Sequence, residues 1–308
     1  DYNVPFFING ASTDWLISET VPKNYTRYKY LFRSNPVNST VLFKTVCGFL
    51  GGYLIPKVML PLYGAYLWPG APVKQVRVAV VTEQLEWTNV MHYLLTLPPG
   101  VDPRYPAGYQ TFLGPNANLT YQARLDPTNP AAIPGILTGV KNSMARVLIH
   151  VFSAPIGVQF IGTWAAMGVQ ALPTGINVMD QLDSTWNSTG GGCQYECMLE
   201  FAGTRTPITP QTQIFWDNFV ARTHRWPIYT AYGAYDALYA LKETLEKPAN
   251  AAAVLAYLND PGPPPYATSA ALVPAIEATD RQGLTGRFRY TPEHDVYLTT
   301  ADVLSQYY

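Results

Sequence analysis

A buried strand and the loop that follows it indicate the fold; these residues, 75–87, read QVRVAVVTEQLEW. The unbroken apolar run at 78–81 is typical of a strand that is covered on both faces, as in a parallel sheet. A second run of this kind, ARVLIHVF, occupies 145–152, and predicted helical stretches separate the two. This alternation of short apolar strands and longer helices predicts an α/β fold with a mostly parallel sheet.

The same reading extends outward to the rest of the chain. Further strands are predicted at 4–9, 28–33, 109–113, 169–173, 286–290 and 303–308. Helices are predicted at 38–50, from 88 onward, and at 130–142, 155–167, 212–223 and 229–247. The longest of them, 229–247, repeats apolar residues at spacings of three and four, which marks one buried face. The polar, glycine-rich stretch 180–197 is predicted to be irregular.

No membrane-spanning or signal segment is predicted in this chain. The most apolar region, 46–68, contains Pro56, Lys57 and Pro61. These residues are expected to interrupt the roughly 20 consecutive apolar residues that a membrane helix needs. Neither a charged first region nor a small-residue cleavage site precedes the strand at 4–9, so any signal or anchor is expected outside this chain.

Composition indicates two domains and an extracytoplasmic protein. The 308 residues fit two domains of ordinary size. The balance of 20 Lys and Arg against 21 Asp and Glu lacks the basic excess of a nucleic-acid binder. Only 13% of residues are charged, about half of the usual share, whereas Tyr (22) and Pro (27) are abundant. Such a surface is more typical of secreted or cell-surface proteins.

Two kinds of covalent modification fit that location. Four Asn-X-Ser/Thr sequons are candidate N-glycosylation sites, at Asn24, Asn38, Asn118 and Asn187, although roughly two are expected by chance. Cys193 and Cys197 are a candidate disulfide across a small loop, with Cys47 as the unpaired third cysteine. Three cysteines without a CxxC pair do not indicate a structural zinc site.

Motifs for catalysis and for cofactors are absent from the sequence. There is no G-x-S-x-G, H-E-x-x-H, Walker A or G-x-G-x-x-G motif, so no catalytic residue, metal or cofactor is predicted. His150 lies inside a buried strand, where a core imidazole is favoured over a catalytic base. Glu83 and Glu86 flank a strand end and are interpreted as exposed loop carboxylates in preference to an acid/base pair.

The ends of three predicted strands carry small polar or aromatic residues. The first strand ends in Gly10-Ala11-Ser12-Thr13, whose backbone N–H groups and hydroxyls suit a carboxylate, although an ordinary helix N-cap is the alternative. Trp87 and the pair Ser153-Ala154 follow the other two strands. Together these ends predict a cleft with an apolar wall and a few directed hydrogen bonds, the alternative for Trp87 being plain packing.

The order of segments resembles the type I periplasmic binding proteins, with the branched-chain amino acid receptors of ABC importers as the most similar branch. The most specific pieces are FRSNP at 32–36 and the helix YTAYGAYDALYALKETLEK after Arg225-Trp226-Pro227. The resemblance implies a two-lobed Venus-flytrap fold, each lobe a mostly parallel sheet flanked by helices. It assigns 1–75 and 203–297 to lobe I, 76–202 to lobe II, and 298–308 to a crossover strand to lobe II. Because the chain opens on what resembles the family's fourth strand, the N-terminal part of lobe I is expected to be missing.

The resemblance also implies site residues and a function. It makes Ala11, Ser12 and Thr13 the binding site of a carboxylate and Trp87 a stacking wall, with Ser153 and Ala154 lining a wide pocket. Near Asn177 the amino-acid receptors carry an acidic residue for the ammonium group of the ligand, and no acid is identified there in this sequence. The resemblance therefore implies that Asn177 serves as a neutral donor and acceptor, and that a neutral polar, amide-like or aromatic solute fits as well as an amino acid.

The implied protein is a non-enzymatic solute receptor of an ABC importer. Its expected partners are a small-molecule solute and a membrane permease, with no nucleic acid, and its expected location is the cell surface, tethered through segments outside this chain. A ligand-sensing ectodomain of the same fold and an enzyme with an unrecognised site are the alternatives.

Overall fold

The structure is a computed structural model that describes residues 3–35, 37–199, 205–260, 262 and 268–296. Described residues up to Asn38 and from Arg205 onward form one compact unit, here the first unit, and those from Ser39 onward up to Leu199 form the second unit. The chain thus divides after residue 38, whereas the sequence placed the division after residue 75. The strand predicted at 303–308, within the crossover segment 298–308, lies outside the described residues.

The regular elements alternate along the chain as the sequence predicted. The described strands are β1 (Phe6–Asn9), β2 (Leu31–Asn35), β3 (Ala65–Tyr66), β4 (Lys74–Glu83), β5 (Ala117–Leu125), β6 (Val147–Phe152), β7 (Leu172–Asn177), β8 (Cys197–Met198), β9 (Asp280–Gln282) and β10 (Arg287–Arg289). The described α-helices are α1 (Thr20–Lys23), α2 (Tyr25–Tyr28), α3 (Ser39–Phe49), α4 (Leu60–Tyr63), α5 (Asn89–Thr96), α6 (Gln110–Leu113), α7 (Ile133–Asn142), α8 (Ile156–Ala166), α9 (Thr185–Ser188), α10 (Pro210–Thr223), α11 (Tyr229–Glu246), α12 (Ala251–Leu258) and α13 (Val273–Glu277).

The second unit is built on a mostly parallel sheet. Strand β4 pairs in parallel with both β5 and β6, and the parallel order continues through β7 to β8. The short β3 is the antiparallel exception and pairs with the start of β4. The α/β prediction and its two buried strands are confirmed, because β6 is buried along its whole length and β4 is buried from Val78 to Glu83.

Apolar side chains of this sheet pack under two flanking helices. Val81 and Leu148 from the sheet form a cluster with Leu137 of α7 and Phe160 of α8. Helix α8 ends before Gly168, whose φ of +58° closes the helix in the left-handed conformation that glycine adopts most readily. Because β4, β6 and β7 are parallel, their carboxyl ends lie at one edge of the sheet, where the following loops begin.

Three predicted strands differ from the structure. Residues 109–113, predicted as a strand, contain α6, and the missing strand is β5, which the sequence did not predict. Most of β5 is half-exposed, so it lacks the apolar run that identified β4. The predicted strands 28–33 and 169–173 are displaced toward the C-terminus and occupy β2 and β7.

The helix predicted at 38–50 continues to Tyr63. Helix α3 runs into a π-helical segment, Leu50–Met59, which contains Pro56, and then into α4. The predicted break at the prolines is therefore wrong. The irregular helical segment accommodates Pro56, which has no N–H to donate, while Phe43 and Ile55 are buried in the second unit.

This long helix bears on the membrane prediction. Among the described residues, Ser39–Tyr63 is the helix whose length and apolar composition would allow it to cross a bilayer. One third (33%) of its most apolar window is buried inside the unit. Core helices of soluble proteins and signal sequences meet the same criterion, so the length and composition alone assign no span.

The first unit contains the parallel pair β1 and β2 and the antiparallel pair β9 and β10. Its longest helix, α11, approaches β2 closely at Gly233, where a Cβ atom would lie 2.1 Å from the Cβ of Asn35. Glycine is therefore required at this crossing. The approach places the N-terminal turn of α11 beside the loop that follows β1.

Candidate functional site

The carboxylate of Glu83 organises the strand ends of the second unit. Glu83 is the last residue of β4 and is completely buried (0% exposed). Its Oε1 accepts hydrogen bonds from the Trp87 indole N–H at 2.7 Å, the Ser153 backbone N–H at 2.9 Å and the Ser153 hydroxyl at 2.5 Å. Its Oε2 accepts one from the Ala154 backbone N–H at 3.1 Å. The interpretation of Glu83 as an exposed loop carboxylate is wrong, whereas Glu86 is exposed as expected.

Glu83 fixes the turn that leads into α8. Ser153 and Ala154 lie before Pro155, the N-cap residue of this helix, and their backbone N–H groups donate to Glu83. Two N–H groups inside the helix have other acceptors, because Gly157 donates to the Ala154 carbonyl oxygen at 3.0 Å and Val158 donates to that of Pro155 at 3.2 Å. Glu83 therefore joins the end of β4 to this turn.

Asn177 lies at the next strand end, at the terminus of β7. It pairs in register with Phe152 of β6. A Cβ atom on Gly157 would lie 2.4 Å from the Asn177 Oδ1, so only a glycine at position 157 leaves space for this amide group. Its Nδ2 donates to Asp180 Oδ1 at 3.0 Å and lies 3.5 Å from Glu196 Oε1. The structure thus brings two acidic residues beside Asn177, where the sequence indicated none.

These acidic residues form a buried polar cluster with His150. Nε2 of His150 lies 2.8 Å from Glu196 Oε1, and both side chains are almost fully buried. Burial lowers the pKa of His150 to about 4, so this imidazole is neutral at physiological pH. Burial, a hydrogen bond to the Glu196 carboxyl and its charge raise the pKa of Asp180 to about 8. Burial also raises the pKa of Glu196.

The first unit offers a second candidate surface, the loop of Gly10 to Thr13 after β1. Gly10 has a φ of +118°, and its N–H donates to the Asn35 carbonyl oxygen at 2.6 Å, which turns the chain at the end of the strand pair. Ser12 is 8% exposed, and Ala11 and Thr13 are half-buried.

A buried arginine, Arg33, fixes the position of this loop through a hydrogen bond. The guanidinium Nη2 of Arg33 donates to the Thr13 carbonyl oxygen at 2.7 Å, and its Nε lies 2.7 Å from Asp295 Oδ1. Asp295 also accepts hydrogen bonds from Ser18 and, at 3.2 Å, from Asn38 Nδ2. Arg33 belongs to the FRSNP segment, so the most specific part of the resemblance is a support of the candidate loop.

The start of α11 holds the other side of the loop. The Tyr229 hydroxyl donates to the Gly10 carbonyl oxygen at 3.1 Å, and Asn9 Nδ2 donates to the Thr230 carbonyl oxygen at 2.6 Å. The N-cap residue of α11 is Ile228, whose apolar side chain makes no capping hydrogen bond. The Gly10–Thr13 loop and this helix N-terminus therefore lie together on the first unit.

The predicted site residues fall into two groups. The structure brings Trp87, Ser153 and Ala154 together around Glu83, with Asn177 on the adjacent strand end. Ala11, Ser12 and Thr13 lie on the first unit, and their role in ligand binding stays a prediction. Sequence reasoning missed Glu83 as the centre of the second-unit group. The sequence did contain one sign of this role, because Glu83 ends the predicted strand with the clearest apolar run.

The predicted modifications have different outcomes. Cys193 and Cys197 are free thiols in the structure, so the candidate disulfide is not formed. Cys193 packs against the apolar core under α8, whereas Cys197 pairs with Thr174 in the sheet. Glycosylation at Asn24, Asn38, Asn118 and Asn187 stays a prediction; Asn24 caps α2 and Asn38 contacts Asp295. Within the described part of the chain, no group of three potential metal ligands is found.

Comparisons with known proteins identify the fold through structure. No protein-family model matches the sequence, and no curated protein sequence is significantly similar to it. A benzoate complex of an ABC-transporter solute-binding protein from R. palustris matches with a TM-score of 0.62 and 14% identity, over 96% of this chain and 66% of that one. A 3,4-dihydroxybenzoic acid complex of such a protein from Rhodopseudomonas palustris BisB5 matches with a TM-score of 0.63 and 15% identity, over the same shares.

An isoleucine complex of a branched-chain amino acid transporter substrate-binding protein from Streptococcus pneumoniae is also similar. Its TM-score is 0.59 at 13% identity, over 96% of this chain and 67% of that one. The chain spans 66% of the length of the first two structures. It therefore has the fold of the type I periplasmic binding proteins of ABC transporters.

Proposed function

We propose that this chain is part of an extracytoplasmic solute-binding protein of an ABC importer, without catalytic activity, which captures a small polar solute. Its proposed partners are that solute and a membrane permease, and its proposed location is the cell surface, tethered through segments outside this chain. The fold supports this proposal, because the solved structures with this fold are solute-binding proteins by their descriptions.

The observation that carries the proposal is the arrangement around Glu83. Four donors from Trp87, Ser153 and Ala154 converge on one buried carboxylate, so the loops at the ends of β4 and β6 are fixed relative to each other. Trp87 keeps part of its ring exposed while its N–H is held. A fixed, partly exposed aromatic ring at a strand end is suited to stack on a planar or apolar part of a solute.

Each unit carries proposed contact residues of its own. On the first unit, we propose that Ala11, Ser12 and Thr13 bind a carboxylate of the solute. On the second unit, we propose that Trp87 contacts a planar or apolar part of the solute.

The polar cluster at Asn177 bears on the class of solute. Asp180 accepts a hydrogen bond from Asn177, and the Glu196 side chain is buried (2% exposed) against His150. They are poorly suited to accept the ammonium group of an amino acid. We therefore place amide-like and aromatic carboxylate solutes ahead of α-amino acids within the proposed range.

A ligand panel tests this function directly. Thermal shift and calorimetry with benzoate, 4-hydroxybenzoate, isoleucine, leucine and a simple carboxamide should reveal at least one solute that raises the melting temperature in a saturable way. Benzoates are expected to bind more tightly than isoleucine. Conversion of a bound compound into a product would contradict a purely binding role, and tighter binding of isoleucine would overturn the ranking of solutes.

A further inference from the structure

An exposed apolar hairpin extends the second unit beyond its core. It comprises residues 62–74, here called the Trp68 hairpin: the end of α4, strand β3, a loop and the first residue of β4. Tyr66 and Lys74 pair across it. Its large apolar side chains are exposed, notably Leu62 (66%), Tyr66 (59%) and Trp68 (56%). An exposed apolar patch of this kind on a soluble unit indicates a contact surface.

The loop at its tip lacks the groups that a protein partner would recognise. Residues 67–73 read LWPGAPV, and the indole N–H of Trp68 is the sole polar side-chain group among them. Protein interfaces carry about one hydrogen bond per 100–200 Å² of buried surface. Two prolines also remove backbone N–H groups, and the Ala71 N–H donates to the Trp68 carbonyl oxygen at 3.1 Å. Few donors would thus be left unpaired in an apolar medium.

Two cations lie against aromatic rings of the hairpin, and acidic residues are absent from this part of the sequence. Residues 39–82 contain Lys44, Lys57, Lys74 and Arg77 but no Asp or Glu. The ammonium of Lys74 lies 5.6 Å from the centre of the Tyr66 ring, and the guanidinium of Arg146 lies 5.3 Å from that of Tyr63. The patch is therefore both aromatic and basic.

An open groove continues the patch along the helix. It has a volume of about 480 Å³, and its lining includes Leu62, Tyr63, Arg146, Trp164 and Tyr195. Among the described residues, no acidic side chain lines this groove. Glu196, which follows Tyr195, is buried against His150 and does not offset the positive charge.

We propose that the Trp68 hairpin is a peripheral membrane contact that inserts Leu67 and Trp68 into the headgroup region of a bilayer containing anionic lipids. Trp and Tyr favour that region, and apolar side chains with Lys and Arg around them bind it. Cations near an anionic surface add to this attraction. Because the loop has almost no polar side-chain groups, a lipid surface fits it better than a protein does.

Vesicle binding tests this proposal. The chain is mixed with vesicles of phosphatidylcholine alone, and with vesicles of phosphatidylcholine and phosphatidylglycerol, and the bound fraction is measured by flotation. We expect binding to the anionic vesicles at low salt, weakened by high salt. The double variant L67S/W68S should weaken this binding by about tenfold or more, given the apolar area removed. The matched control W186S alters a tryptophan of the same unit that is similarly exposed (55%) and should leave binding unchanged.

A second variant keeps the test valid if L67S/W68S does not fold. K57Q/K74Q removes two exposed positive charges. This variant should bind anionic vesicles less than the wild type does, without a change in binding to vesicles of phosphatidylcholine. Absence of wild-type binding to anionic vesicles, or equal binding by the wild type and a folded L67S/W68S, would overturn the proposal. Association that resists both high salt and alkaline carbonate would also overturn it, because helix 39–63 would then span the bilayer. A dimer that the hairpin variants dissociate, without vesicle binding, would assign the surface to a second copy of the chain.

Discussion

The guanidinium of Arg33 donates a hydrogen bond to the carbonyl oxygen of Thr13 at 2.7 Å while its Nε contacts Asp295. A completely buried cation therefore connects the candidate loop of the first unit to a buried carboxylate (0% and 4% exposed side chains). Burial lowers the pKa of Arg33, and the charge of Asp295 acts against that shift. The position of the loop thus depends on an ion pair in the interior.

Arg33→Met should destabilise the protein strongly, because Asp295 would remain buried without its cation. Removal of one partner of a buried pair typically costs about 3–5 kcal/mol of unfolding free energy. Urea denaturation measures the loss. The control Arg205→Met removes a half-exposed partner of Asp217 in the same unit and should change stability little. Equal effects of the two substitutions would show that the Arg33 pair contributes no more than a surface pair.

Glu83→Gln should lower stability by about 1–3 kcal/mol, because an amide NH₂ would face donors that now converge on a carboxylate. Solute affinity should fall as well, since Trp87, Ser153 and Ala154 would lose their common anchor. Chemical denaturation and calorimetry with the best solute of the panel measure the two effects. Glu86→Gln is the matched control, three residues away and exposed, and should leave both quantities unchanged.

Trp87→Ala should weaken solute binding by about tenfold or more, as is common for an aromatic anchor. The melting temperature of the solute-free protein should fall by no more than a few degrees, because the ring is only partly buried. Calorimetry and thermal unfolding separate these effects, with Trp186→Ala as the exposed control in the same unit. A large fall in melting temperature with unchanged affinity would make Trp87 a packing residue.

Asp180 should make the protein less stable as the pH rises from about 4 to about 8. Its pKa is raised from 3.8 to about 8, so its contribution is complete below pH 4 and is lost as the carboxyl ionises. His150 acts in the opposite sense: its pKa is lowered from 6.5 to about 4, and its contribution is lost as the pH falls through that range.

Comparison with Asp180→Asn isolates the contribution of Asp180. Because Asn imitates the protonated acid, this variant should gain stability relative to the wild type as the pH rises, by at most about 1.4 kcal/mol per pH unit. Urea unfolding at several pH values measures the difference. Asp183→Asn, an exposed control, should follow the wild type. A constant difference between Asp180→Asn and the wild type would contradict a raised pKa.

The fold was largely predictable where burial produces a recognisable pattern of apolar residues in the sequence. Strands β4 and β6 are buried on both faces and were recognised from unbroken apolar runs. Strand β5 was missed because its residues outside the core include the half-exposed Thr120 and Arg124 and the exposed Gln122. The length of the helix that ends at Tyr63 was underestimated, because a proline such as Pro56 usually ends a helix when only the local sequence is considered. Burial of Ile55 and its neighbours in the unit favours continuation of the helix.

The site was predictable only where its residues directly follow a strand. Trp87 and Ser153 were found in this way. Their common partner was not identified, because the contact between Ser153 and Glu83 joins residues 70 positions apart. Glu196 was missed for the same reason, because it reaches His150 from a stretch with no periodic pattern. Asp180 is only three positions from Asn177, so the sequence did contain a signal for this acid.

The carboxylate of Glu83 also has a consequence for the energetics of recognition. Since it immobilises the Trp87 ring and the turn before α8 in the absence of solute, little side-chain entropy remains to be lost there on binding. Solutes that differ only in the part that contacts Trp87 should therefore associate at similar rates and differ in residence time. Under the proposed function, the contact surface of the second unit is therefore already fixed before a solute binds.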